Sequence, residues 1–143
     1  MVRACAPALR ERGRGAVVNV ASVAGVFGMG SSVAYAASKG AMIAMTKSLA
    51  RVLAPAIRVN AVAPGYVGTG WYEKRMGADD YAAMQERIAG AVPMAFATTP
   101  ADVAGPIVHL LDPAARAITG EVVLVDAGGH LDVALSRRSG REG

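Results

Sequence analysis

With a single cysteine, Cys5, the chain cannot close an internal disulfide, and that shortage fits a reducing, cytoplasmic setting. No uninterrupted apolar run approaches the roughly 20 residues that a membrane-spanning helix needs, so no membrane partner is expected. The opening stretch MVRACAPALRERGRG lacks a long apolar core and does not read as a secretory signal. Histidine is scarce, at two residues, and no grouping of His, Cys, Asp or Glu has the spacing of metal ligands. A basic face is missing as well. The net charge is +4, yet residues 1–14 carry net +3 and residues 136–143 carry net +2 (Arg137, Arg138 and Arg141 against Glu142), leaving the centre at net −1. A nucleic-acid surface gathers its basic residues on one folded face. Here they are solvated ends, and no nucleic-acid partner is expected.

Hydrophobic residues make up 53% of the 143, enough for one domain with a large core. Residues 2–12 read as helix, stopped by Gly13 and Gly15. AVVNVAS, 16–22, is a β-branched run suited to a buried strand, and a small-residue loop follows it. Residues 33–54 read as a long helix ended by Pro55, and IRVNAVA, 57–63, as a second strand. PGYVGTGWYEKRMGADD reads as a long loop before a short helix at 81–90. In TTPADVAGPIVHLL, Thr99 suits a helix cap, Pro100 its first position and Asp102 its third, while Gly105 and Pro106 weaken the helix beyond. EVVLVD, 121–126, is a third strand. Strands alternating with helices imply an α/β fold with a parallel sheet and crossover helices.

The chemistry gathers at YAASKGAM. Tyr35 and Lys39 stand four residues apart, on one face of a helix. A free phenol, with a pKa of about 10, exchanges protons poorly at neutral pH. A neighbouring ammonium favours the phenolate and brings the group toward working pH, as acid–base catalysis requires. Ala36, Ala37 and Gly40 leave room for something flat and large beside the pair. Ser22 is expected to end the first strand, at the carboxyl edge where open α/β sheets bind ligands. APG, 63–65, and VDAGG, 125–129, end the other two strands at the same rim.

Together, GAVVNVASVAGVFG, AYAASKGAMIAMTKSLA, IRVNAVAPGYVGT, TPADVAGPIVHLL and ITGEVVLVDAGG closely resemble the short-chain dehydrogenase/reductase family, in the family's order. The resemblance implies the C-terminal part of a doubly wound, Rossmann-type parallel-sheet domain. It implies Tyr35 as the acid/base, Ser22 as the group that orients the substrate oxygen, and Lys39 as the holder of the nicotinamide ribose. Pro64, Gly65, Val67 and Thr69 would face the cofactor, NAD or NADP. Residues 70–90, with Trp71 and Tyr72, would cover a small carbonyl or alcohol substrate. It also implies a homo-oligomer, a dimer or tetramer, paired through the long helix.

The family's opening strand, its T-G-x-x-x-G-x-G phosphate loop and its N-A-G stretch do not occur in this sequence. GVFGMG, 25–30, lies between a strand and a helix, but its spacing is wrong for that loop. Residues 1–143 are therefore expected to be the catalytic and substrate-loop part of such a domain, its N-terminal strands missing. The competing expectation is an inactive remnant serving at most for oligomerisation. His109 reads as a packed or interface side chain, and His130 as a substrate-edge or subunit contact.

Overall fold

The structure, a computed structural model, describes residues 1–131; the basic stretch 136–143 lies outside them. Three parallel strands, β1 (Gly15–Val20), β2 (Ile57–Pro64) and β3 (Val122–Val125), lie in the order β1-β2-β3. Gly15 pairs with Ile57 and Val20 with Val62, while Ala61 pairs with Val122 and Pro64 with Val125. The central strand is nearly all buried, as expected of a parallel strand covered on both faces, with Arg58 and Asn60 as its polar members.

Side-chain alternation along β2 assigns the two faces. Ile57 and Val59 pack with Ala6, Ala50 and Leu53, carried by α1 (Val2–Glu11) and α3 (Val33–Leu53). On the other parity, Val62 packs with Val103 and Leu110 of α6 (Pro100–Leu111). Ile57, Val59 and Val62 are 1% exposed or less, and each such burial is worth about 1.5–3 kcal/mol. Helices on both faces of a parallel sheet confirm the doubly wound α/β expectation.

Polar side chains on the inner positions serve the backbone. Arg58 Nη1 donates to the carbonyls of Leu110 (2.7 Å) and Ile118 (3.3 Å), and Nη2 to those of Asp112 (3.1 Å) and Leu111 (3.4 Å), closing the C-terminal end of α6. Asn60, fully buried, donates to Ile118 O (2.9 Å) and accepts from Glu121 N (3.0 Å), fixing the entry to β3. Asn19 Nδ2 donates to Thr46 Oγ1 (2.8 Å), tying β1 to α3.

Several sequence expectations are corrected. The first strand stops at Val20, and a short helix, α2 (Val23–Phe27), occupies the expected small-residue loop. The long loop after β2 holds α4 (Gly70–Met76), and the next helix, α5 (Ala78–Gly90), starts three residues early. α6 runs through Gly105 and Pro106 to Leu111. Its apolar stripe seats on the sheet and its last carbonyls are taken by Arg58, which offsets the lost i→i−4 bond at Pro106.

Candidate active site

Parallel pairing brings Val20, Pro64 and Val125 to the same end of the sheet. Ser22 is beside that rim but not in the strand. It has left β1 and is the N-cap of α2, its Oγ accepting from Ala24 N at 3.2 Å. That hydroxyl reaches Pro64 O only at 3.5 Å, too long for a strong O–H···O bond. Its proton is thus available to a better acceptor, although the residue is buried.

Tyr35 opens α3. Ser32 is the N-cap, accepting from Tyr35 N at 3.1 Å. Tyr35 is 39% exposed, and Lys39 Nζ lies 5.7 Å from its ring centroid. Lys39 also donates to Val20 O at 3.0 Å, so its ammonium is held at the end of β1, two residues before Ser22. Two of the three N–H donors of an ammonium remain.

What seats Ser22's helix against Tyr35's helix is Gly25. A Cβ there would lie 2.5 Å from Lys39 C, 2.6 Å from Gly40 N and 2.7 Å from Lys39 O, all backbone atoms. Gly28 caps α2 with φ +72°, in the left-handed region. Two of the three glycines of GVFGMG, Gly25 and Gly28, thus serve a close helix contact and a helix end. They looked in the sequence like loop formers because their reason is tertiary.

Pro64 ends β2 and Gly65 follows it, so close to β3's end that a Cβ would meet Asp126 Cβ at 2.7 Å. Val67 turns its side chain into the α6 core and keeps its backbone at the rim. The Val67 N–H has no backbone partner among the described residues, and Thr69, the N-cap of α4, makes no capping bond with its hydroxyl. Thr98, which drew no attention in the sequence, clasps this loop: its hydroxyl donates to Tyr66 O and its carbonyl accepts from Gly68 N at 2.7 Å. α4 and α5 bury no residue, and Trp71 is 59% exposed, edge-on to Tyr72 and under the Arg75 guanidinium. The Tyr66 hydroxyl is buried with no partner of hydrogen-bond geometry, the Tyr81 phenol being its polar neighbour, and burial, with Tyr81 and Tyr72 beside it, pushes the phenol above its ordinary value.

A cavity of about 170 Å³ opens at the sheet's C-terminal rim, walled by Val23, Phe27, Met29, Gly65, Tyr66 and Val92, with Asp126 and His130 supplying its polar edge. Asp126 accepts from Gly128 N (3.1 Å), His130 N (2.9 Å) and His130 Nδ1 (2.9 Å). The His130 ring stacks on Phe27, with centroids 6.0 Å apart and planes 10° from parallel. Only the i,i+4 spacing of Asp126 and His130 hinted at this pair; the turn that closes it was not legible. His109 is exposed on α6, away from these groups.

Among the described residues no cluster of three His, Cys, Asp or Glu side chains could hold a metal, and no helix is long and apolar enough to cross a membrane. The family described as enoyl-(acyl carrier protein) reductase matches residues 1–130. The chain is 40% identical to the short-chain dehydrogenase/reductase homolog YusR of Bacillus subtilis, over 88% of this chain and 92% of YusR. It is 36% identical to 2-(S)-hydroxypropyl-CoM dehydrogenase 3 of Xanthobacter autotrophicus, over 88% of this chain and 50% of that protein. Its fold matches the solved structure of ElxO with NADP bound, at TM-score 0.80 and 31% identity, over 91% of this chain and 52% of that one. The chain thus spans nearly all of YusR but about half the length of the other two.

Proposed function

The chain belongs to the short-chain dehydrogenase/reductase family, and from that premise we propose that it carries the proton-transfer and substrate side of an NAD(P)-dependent oxidoreductase acting on a small carbonyl or alcohol. One observation carries the reading: Lys39 is pinned to Val20 O with the Tyr35 ring beside it, while Gly25 locks Ser22's helix against the same turn of α3. Three side chains of complementary chemistry therefore share one rigid corner of the sheet.

In this reading Tyr35 O–H gives its proton to the carbonyl oxygen during reduction and regains it from the alcohol during oxidation. Ser22 exchanges its weak contact with Pro64 O for that same oxygen. The Lys39 ammonium keeps its place through Val20 O and turns its remaining donors to a ribose. The free Val67 N–H and the Thr69 hydroxyl fit a group rich in acceptors, such as a carboxamide or phosphate. A bound nicotinamide cofactor would supply hydride chemistry at the carbonyl carbon. The strong similarity to a protein whose solved structure holds NADP supports this cofactor class.

Residues 1–143 in this reading are part of a larger dinucleotide-binding domain, the phosphate cradle being supplied by residues other than these. Gly25 and Gly28 are spent on helix packing and capping, so GVFGMG offers no such cradle. The exposed face of α3, with Ala34, Ala37 and Met45, is the surface for pairing with a second copy.

The test is Tyr35→Phe in the chain joined behind the amino-terminal half of a relative. Reduction of a ketone, followed by loss of reduced nicotinamide, should fall by about 10²–10⁴-fold. Dinucleotide binding by calorimetry should persist. Turnover close to that of the parent would refute the assignment. If neither the joined protein nor the chain alone binds a dinucleotide, the inactive-remnant reading replaces it.

A further inference from the structure

We propose that His130, held by Asp126, selects substrates that carry a hydroxyl or N–H group at the end remote from the reacting carbonyl. This rests on the oxidoreductase reading above, because the cavity concerned is lined by residues next in the chain to Ser22 and Pro64. Val23 follows Ser22, Gly65 follows Pro64, and Met29 belongs to the loop that leads to Tyr35.

The chemistry of the pair fixes what it recognises. Asp126 collects two backbone N–H groups and the His130 Nδ1 edge, so its carboxylate is an acceptor on every side. Nδ1 must then carry the proton. In a neutral imidazole this leaves Nε2 as a lone-pair acceptor. No hydrogen bond uses Nε2 among the described residues. Stacking on Phe27 from one side and the Asp126 contacts at the ring edge hold that acceptor in one orientation. The complement of a fixed acceptor is a donor on the ligand.

Charge excludes the alternative of an anionic tail. The only ionic group besides His130 lining the cavity is the Asp126 carboxylate, and no Lys or Arg lines it. A carboxylate or sulfonate would enter a largely apolar space beside the Asp126 carboxylate, with no Lys or Arg to meet it. The cavity, at about 170 Å³, equals about six waters of liquid volume at ~30 Å³ each. A ligand of a few carbons ending in a hydroxyl fits that volume, and the walls Val23, Phe27, Met29 and Val92 fit its carbon body.

The probes are pentan-2-one, 5-hydroxypentan-2-one and 4-oxopentanoate, which share one methyl ketone and differ only at the far end. In the full chain, labelled with ¹⁵N-histidine, the free protein should show His130 with the proton on Nδ1. Titration with 5-hydroxypentan-2-one should move the His130 Nε2 resonance, and pentan-2-one should leave it nearly in place; exposed His109 is the internal reference. The hydroxyketone should bind about fivefold more tightly than the plain ketone, the share of one net hydrogen bond. His130→Phe, which keeps the stack on Phe27, should erase that preference while still binding pentan-2-one. His130→Gln, which restores an acceptor oxygen, should recover part of it. A proton on Nε2, equal affinities in the parent chain, tightest binding of 4-oxopentanoate, or a preference that survives in His130→Phe would each overturn the proposal. Because the readout is binding, a chain that prefers the hydroxyketone yet gives no Tyr35-dependent turnover would retain this inference and refute the oxidoreductase reading.

Discussion

Replacing Gly25 with alanine tests whether the corner that holds Ser22, Tyr35 and Lys39 depends on one missing methyl group. The added Cβ would sit 2.5–2.7 Å from the Lys39 and Gly40 backbone, where ordinary contact begins at 3.4 Å. Backbone inside a 21-residue helix cannot swing aside as a side-chain end can, so α2 must back away by about 1 Å. Overpacking of this kind costs about 1–3 kcal/mol. The active geometry should suffer more, because Ser22 caps the displaced helix while Tyr35 and Lys39 stay on α3; a 1 Å misplacement costs about 10²-fold in rate. Gly40→Ala is the matched control. A Cβ on Gly40 would meet Gly25 O at 3.5 Å, an ordinary contact, and alanine in a helix interior gains about 0.5–1 kcal/mol over glycine. Urea unfolding should therefore show the two variants moving in opposite directions, and ketone reduction in the joined protein should fall only for Gly25→Ala. Equal stability for both, with unchanged turnover in Gly25→Ala, would refute the reasoning.

Three further outcomes are expected. Asp102 accepts from both Thr99 N and Thr99 Oγ1 at 2.7 Å, and these bonds hold its carboxyl below the ordinary value of 3.8. The depressed group stabilises the fold above its unfolded pKa and loses that contribution as pH falls through the folded one. Asp102→Asn should thus lower the thermal midpoint at neutral pH, with the gap from the parent closing only below pH 3.8, as calorimetry across pH would show. Tyr66 buries a hydroxyl with no partner and its phenol is raised above 10.0, so ionisation favours unfolding as pH climbs past that value. Tyr66→Phe should match or exceed the parent by about 1 kcal/mol in urea at neutral pH and withstand alkali better, and a loss of more than that would show the hydroxyl to be bonded. Ala127 holds φ +53° in the turn that presents His130. Ala127→Gly should stabilise by about 1 kcal/mol without disturbing the His130 Nδ1 signal.

The strands and the long helix were legible because their signals are local. The β-branched run of 16–22 and the apolar spacing of 33–54 need no knowledge of their neighbours, and Thr99 with Asp102 announces a helix start by spacing alone. The helices α2 and α4 were not legible, because each begins or centres on glycines that score as breakers until their packing is known. Ser22 was expected on the strand, and the structure makes it a cap instead: chain order alone could not show where β1 lets go. Tyr35 and Lys39 were legible as a pair, since helical periodicity sets their common face. That Val20 O holds the lysine, that Thr98 clasps the loop at 66–68 and that Asp126 fixes His130 depend on contacts across 19, 32 and four residues. None of these has a composition signature.

The two helices α4 and α5, which bury no side chain of their own, also bear on how a protein of this kind changes over generations. Most substitutions are tolerated or rejected by what they do to stability. Mutations along 70–90 touch no core position, so they are nearly free of that filter. The proposed proton-handling corner instead sits where α2 and α3 meet the ends of β1 and β2, and the largely buried strand β2 beside it is constrained by packing. Such a division lets the 70–90 segment drift through many surfaces while the sheet and α3 stay the same. On the proposed function, new substrates can then be reached by single steps that never pass through an unfolded ancestor.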